Sequence, residues 1–188
     1  MDEDLAGSSE PCALRSVPMY DDIFARLLPL LQRLEGVAQD PRFHPEGDAL
    51  YHSLQVFSFA TRESDEPRLL AAALFTADRV CAVHDLGKAA AGDDHAAAGA
   101  ALLEGIAQPS VCWLVTHHLD LLKRGRETRQ RLHDDPRLRE LEQLRAWDLK
   151  GRERHVHVPD VERALGAILE PGRAEGWLAE SNVLDDET

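Results

Sequence analysis

Cysteine, aromatic residues and basic charge are all scarce in this 188-residue chain, and each scarcity narrows what it can do. Its three cysteines, Cys12, Cys81 and Cys112, are odd in number, widely spaced and form no CxxC pair. They point to neither a disulfide framework nor a thiolate zinc site, and Cys81 and Cys112 read as small hydrophobes buried on helices. Lysine and arginine total 21 against 34 aspartates and glutamates, a formal charge of -13. That balance argues against an extended nucleic-acid surface, which works by displacing counterions with basic side chains. A small phosphorylated ligand held by local charges stays open. No stretch supplies the roughly 18 uncharged apolar residues that cross a bilayer, and the acidic opening MDEDLAGSSEPC is unlike a secretory leader. A cytoplasmic location without a membrane partner is expected. Aromatics make up only 5% of the chain, and no base-stacking pocket can be picked out among Tyr20, Tyr51, Phe43, Phe57 and the tryptophans. Also missing are a GxSxG elbow, a GxxxxGK[ST] phosphate loop, a GxGxxG fingerprint, any repeat of fixed period and any run of alternating strand pattern.

What remains is helical text. Apolar residues make up 44% of the chain, enough for one core. Apolar spacing of three and four predicts about seven helices, in YDDIFARLLPLLQRLEGVA, DALYHSLQVFSFATR, PRLLAAALFTADRVCAV, HAAAGAALLEGIA, PSVCWLVTHHLDLLK, PRLRELEQLRAWDLKGRE and PDVERALGAILE. Pro67, Pro109, Pro136 and Pro159 fall where a first helical turn tolerates a missing N–H, with Ser110, Asp135 and Asp160 supplying polar groups beside those starts. Pro29 lies inside the first helix and is a candidate kink. The expectation is an all-α bundle over residues 17–170, preceded by a tail over 1–16 and followed by an extension over 171–188.

Nine histidines occur, and their placement says more than their number. His52 lies in the amphipathic YHSLQVF; His84 and Asp85 end a long apolar segment; His117 and His118 sit within WLVTHHLDLL; Asp148 interrupts LRAWDLKG. An uncompensated buried carboxylate or imidazole costs several kcal/mol, so apolar helices seldom carry such groups without partners. A shared divalent cation would satisfy several at once. The alternative is a set of ordinary hydrogen-bonded core histidines.

The order His52, then His84-Asp85 in HDLGK, then Asp148 resembles the HD superfamily of metal-dependent phosphohydrolases, over about Phe43 to Arg152. FHPEGDALYHSLQVF is similar to the HD domain attached to bacterial tRNA nucleotidyltransferases, whose nucleotidyltransferase part has no counterpart in this chain. The resemblance implies that His52, His84, Asp85 and Asp148 hold one divalent ion, and that His95 with His117 and His118 stand where a second would be held. Manganese, iron, nickel, cobalt and zinc all suit these donors. One departure concerns the segment before the doublet, where the eight residues TADRVCAV separate LLAAALF from HDLGK. As helix they amount to about 12 Å of rise; the alternative is a segment that loops out.

The implied activity is hydrolysis of a phosphomonoester or cyclic phosphodiester of a nucleotide or similar small molecule by metal-activated water. Asp85 and Lys88 are the candidate catalytic residues, Asp85 by bridging metals or holding the water. Lys88 would face the substrate phosphate, and Lys123, Arg124 and Arg126 would form a basic rim. Asp48, four residues before His52, either caps the helix, orients His52 or binds a metal. His44 and Glu46 reach the site mouth or merely belong to the turn around Pro45 and Gly47. His133, His155 and His157 read as surface, and Trp113 and Trp147 as core. Competing readings are a nucleotide- and metal-binding sensor without turnover, a di-iron oxygenase built on the same ligands, and a purely structural helical protein.

Overall fold

The computed structural model describes residues 18–76 and 95–183. Within them the chain forms nine α-helices, and no strand beyond two isolated bridges. They are α1 (Pro18–Gln32), α2 (Ala49–Glu63), α3 (Pro67–Phe75), α4 (His95–Leu103), α5 (Pro109–His117), α6 (Asp120–Lys123), α7 (Gly125–Arg131), α8 (Arg137–Lys150) and α9 (Val161–Ile168), followed by 3-10 turns at Ala174–Gly176 and Glu180–Asn182. The expected all-α class is borne out. Two more helices are found than the spacing predicts. The segment 109–123 breaks after His117 into α5 and α6. GRETRQR forms α7 with Thr128 as its only buried residue, so it offered no apolar period to read.

Helix α3 explains the layout. After Arg68 it carries no charge, and every residue from Leu69 to Phe75 is buried. A helix apolar all round has to be surrounded, and α3 packs against α2, α5, α8 and α9. Ala71, Ala72 and Ala73, none of them exposed, let those neighbours approach closely. Leu27 and Leu31 of α1, Leu114 of α5, Leu141, Leu144 and Trp147 of α8, and Leu165 and Ile168 of α9 complete the core. Each such side chain contributes about 1.5–3 kcal/mol on burial. Helix α3 ends at Phe75, with Thr76 as its C-cap.

Local chemistry sets the helix ends. Pro67 and Pro109 are first residues of α3 and α5. Asp160 accepts the N–H of Arg163 at 2.7 Å to start α9, and Asp135 accepts the N–H of Arg137 at 3.0 Å ahead of α8. Helix α1 continues past Pro29 to Gln32. The C-terminal part is tied into the core: Trp177 is fully buried, its indole N–H donates to the Ile168 carbonyl at 2.7 Å, and its carbonyl accepts from Gln108 N–H at 2.8 Å.

The pair that matters most for chemistry is α2 against α8. Gly151, the C-cap of α8, meets the middle of α2 so closely that a Cβ there would fall 2.8 Å from Val56 Cγ2 and 3.1 Å from the Val56 nitrogen. This approach brings the end of α8 to His52.

Candidate metal centre

The site starts in the loop before α2. Gly47, at φ +83°, takes a left-handed conformation that favours glycine. The turn it makes sends its N–H to the His44 carbonyl at 3.0 Å and its carbonyl to the Gln39 N–H at 2.9 Å. Asp48 then caps α2, accepting the Tyr51 N–H at 2.8 Å on one oxygen and the Gly36 N–H at 2.6 Å on the other. Of the three roles open to Asp48, capping is the one its contacts fill. The same turn folds His44 and Glu46 inward. His44 is buried, and the Glu46 side chain has no exposed surface.

His52, one turn into α2, is 2% exposed. Its Nδ1 lies 2.9 Å from the Gly151 carbonyl and 2.7 Å from Glu46 Oε1. Its Nε2 faces Asp148 Oδ1 at 3.2 Å. Glu46 Oε1 is shared with His44 Nδ1 at 2.9 Å, and the two imidazoles meet edge to face with centroids 4.7 Å apart. On the far side, Asp148 Oδ2 accepts from Arg145 at 2.5 Å and Arg152 at 2.7 Å. Arg152 also donates to the Phe43 carbonyl at 3.1 Å, tying the entry loop to the end of α8.

These contacts fix the charges. Burial works to lower the His52 pKa, but the Asp148 and Glu46 carboxylates outweigh it and hold the imidazole up at about 9. Burial works to raise Asp148, and its hydrogen bond to His52 with the charges of His52, Arg152 and Arg145 keeps it below the usual carboxylate range. Glu46 is likewise held low against its burial by hydrogen bonds that include those from His52 and His44. The arrangement thus favours an imidazolium between two carboxylates.

The donor set fits a divalent first-row ion. Two ligands at about 2.1 Å from one such ion, at roughly a right angle, stand about 3 Å apart, close to the 3.2 Å between His52 Nε2 and Asp148 Oδ1. With Oδ2 taken by two guanidiniums, Oδ1 is the oxygen directed at the imidazole. His44, Glu46 and His52 also place donor atoms within 4.8 Å of one another. On that side His52 presents Nδ1, which lies 2.7 Å from Glu46 Oε1 and is engaged with the Gly151 carbonyl, so Nε2 is the nitrogen suited to a metal.

The other expected residues are distributed as follows. His84, Asp85 and Lys88 lie outside the described residues, as do most of TADRVCAV, the tail over 1–16, Cys12 and Cys81. His95 is the first residue of α4. His117, at the end of α5, pairs through Nδ1 with Asp120 Oδ2 at 2.9 Å and stacks on Trp113 at 4.4 Å between centroids. His118 is buried, with Nδ1 2.6 Å from the Val115 carbonyl. Lys123 ends α6. Arg124 reaches Asp120 at 3.7 Å and Arg131 reaches it at 2.9 Å, so His117 and these cations converge on one buried carboxylate. His133, His155 and His157 are exposed.

Three features escaped the sequence reading. Arg145 and Arg152 sit three residues before and four after Asp148, the spacing of neighbours on a helix face, and that signal was available. Glu46 as a partner of His52 was masked by the turn that also explains it. The Gly151 carbonyl carried no signal at all.

Comparison with known proteins places the two helices that carry this site inside one family match. The family model described as HD domain matches residues 49–151, more than half of the chain, from the first residue of α2 to the C-cap of α8. Among curated proteins, the multifunctional CCA protein of Methylococcus capsulatus is 45% identical over 64 residues, 34% of this chain and 13% of that protein. Those of Thioalkalivibrio sulfidiphilus and Cupriavidus metallidurans are 37% identical over 82 residues and 36% over 91, covering 44% and 45% of this chain. The match takes in only 13%, 18% and 20% of the three relatives' own lengths.

Proposed function

From the premise that this chain belongs to the HD domain family, we propose that it is a metal-dependent phosphohydrolase for a phosphomonoester or cyclic phosphodiester of a nucleotide or similar small molecule. The observation that carries this reading is His52 Nε2 held 3.2 Å from Asp148 Oδ1 where α2 meets α8. Ninety-six residues separate the two side chains, and each is oriented from behind by groups of its own.

In this reading His52, Asp148, His84 and Asp85 hold one divalent ion, and His95, His117 and His118 contribute to a second. The bound ion supplies acidification of a water and neutralisation of phosphate charge. The chain's own groups do the rest. Asp85 would orient the water and take its proton; the water oxygen bonds to phosphorus as the ester P–O bond breaks, and Asp85 returns that proton to the leaving alkoxide, which departs as the alcohol. Lys88 neutralises charge developing on the phosphoryl oxygens, while Lys123 and Arg124 draw the anionic substrate to the site. Arg145 and Arg152 keep Asp148 ionised and occupy its Oδ2.

The test is elemental analysis of protein purified without a metal-affinity column, run beside Asp85→Ala, followed by a screen of nucleotide phosphomonoesters and cyclic diesters with Mn2+, Ni2+ and Co2+. One or two equivalents of transition metal and phosphate release are expected, both lost in Asp85→Ala with helical circular dichroism retained. Full activity in that variant refutes the mechanism. Tight nucleotide binding without product would mark a sensor, and substrate loss that requires oxygen a di-iron oxygenase.

A further inference from the structure

Glu46 lies outside the expected ligand set, yet its side chain is as inaccessible as any in the site. A buried carboxylate is costly unless it is paired. The pairing here is one-sided: Oε1 takes both His52 Nδ1 at 2.7 Å and His44 Nδ1 at 2.9 Å, while buried Oε2 has no hydrogen-bond partner among the described residues. Such an unsatisfied buried oxygen is rare enough to need a reason. The neighbouring acid does not share the task, because Asp48 spends both oxygens on the N–H groups of Tyr51 and Gly36.

The acceptors around His52 Nδ1 decide its state. A carboxylate and a backbone carbonyl can only accept, and Glu46 Oε1 and the Gly151 oxygen both lie within 2.9 Å of that nitrogen. Nδ1 must therefore carry the hydrogen whenever the imidazole is neutral, which leaves the lone pair on Nε2, the nitrogen turned to Asp148. His44 closes the other side of the ring by its edge-to-face contact.

We propose that Glu46 is a positioning residue that locks the His52 imidazole with Nδ1 as donor and Nε2 toward Asp148, and so sets the metal affinity of the centre. The inference rests on the metal-centre reading above. Carboxylates behind metal-bound histidines typically contribute 10–100-fold in affinity. The rival arrangement, a separate ion held by His44, Glu46 and His52 through Nδ1, would strip the hydrogen that Gly151 and Glu46 both accept.

Zn2+ binding measured by calorimetry on the full chain, as wild type, Glu46→Gln and Asp48→Asn, tests it. Glu46→Gln should weaken Zn2+ binding 10–100-fold with helical circular dichroism intact. Asp48→Asn, which weakens the α2 cap, should lower thermal stability and leave the affinity unchanged. Long-range 15N–1H spectra of Zn2+-loaded wild type should place the His52 hydrogen on Nδ1 and the metal on Nε2; where Glu46→Gln does not fold, Glu46→Asp, whose shorter side chain withdraws the carboxylate from Nδ1, takes its place in the affinity comparison. Zinc on Nδ1, or Glu46→Gln affinity within about threefold of wild type, overturns the proposal while sparing the metal centre. A wild type that binds no Zn2+ overturns both.

Discussion

Removing metal should leave a chain whose stability falls as pH rises through neutrality, and His52 sets the size of the fall. Its pKa stands at about 9 in the folded protein against an ordinary 6.5. Between those values the native state holds a proton that the unfolded state has released, so stability decreases with pH. The His52 contribution is fully present below pH 6.5 and gone above about 9. At about 1.4 kcal/mol per pH unit, the total is about 3 kcal/mol. Glu46 and Asp148 act oppositely: their folded pKa values are lowered, so their contribution is present above the ordinary carboxylate range and lost as pH falls through it. The metal-free chain should be most stable between roughly pH 5 and 6.5. Urea unfolding in chelator at pH 6, 7, 8 and 9 measures this, with His52→Gln as control. Tyr20, pushed up to about 12 chiefly by burial and by its bond to Glu175, titrates above that window, whereas Cys112, raised by burial, adds a fall of the same sign near the top of it, so the His52 slope is read between pH 6 and 8. A flat wild-type profile, or a slope that survives in His52→Gln, refutes the charge assignment. Metal binding runs the linkage backward: Zn2+ must displace the His52 proton, so its affinity should rise up to about tenfold per pH unit from this group until pH 9 and then level off.

Asp148→Asn should cost about 3 kcal/mol in the metal-free chain, because it removes the anion shared by buried His52, Arg145 and Arg152; urea unfolding reads the loss, and Zn2+ calorimetry should show binding abolished. Gly151→Ala should cost about 1–3 kcal/mol by forcing a Cβ within 2.8 Å of Val56 Cγ2, and should also weaken Zn2+ binding by moving the carbonyl that accepts from His52. Trp177→Ala should cost about 3–5 kcal/mol, since it empties a fully buried indole site bonded to the Ile168 carbonyl; unchanged Zn2+ affinity in that variant would separate global packing from the centre.

The helical class was readable because α2, α3, α5, α8 and α9 each announce themselves by apolar spacing, and because Pro67, Pro109 and Asp160 start helices where side-chain chemistry requires. GRETRQR was invisible for the converse reason: α7 buries Thr128 and little else, and its place is set by the Thr128 hydroxyl donating to the Asp120 carbonyl at 3.3 Å. Trp147, expected in the core, is fully buried, its N–H donating to Glu63 at 2.9 Å. Trp113, expected there too, is instead half-buried, between His117 and the Arg137 guanidinium 4.6 Å from its ring centroid. Helix spacing reports which face is buried, and it cannot report which polar group shares that face.

The centre itself was legible in its members and illegible in its support. His52 and Asp148 stood out as ionisable residues in apolar helices, and family resemblance joined them across the chain. What holds each one is contributed by backbone and turn. Gly151 matters through its missing Cβ, which permits the contact with Val56, and through a carbonyl that any residue type would possess. For Glu46 the sequence leaves two roles open, at the site mouth or in the turn that Pro45 and Gly47 account for at HPEGD. The structure shows that turn and site are one device: the left-handed Gly47 rotates Glu46 under the imidazole while Asp48, two residues on, starts the helix that carries His52. A residue explained by local conformation can thus still be placed by it for chemistry. Separating the two roles requires a variant of each kind, Asp48→Asn for the turn and Glu46→Gln for the centre.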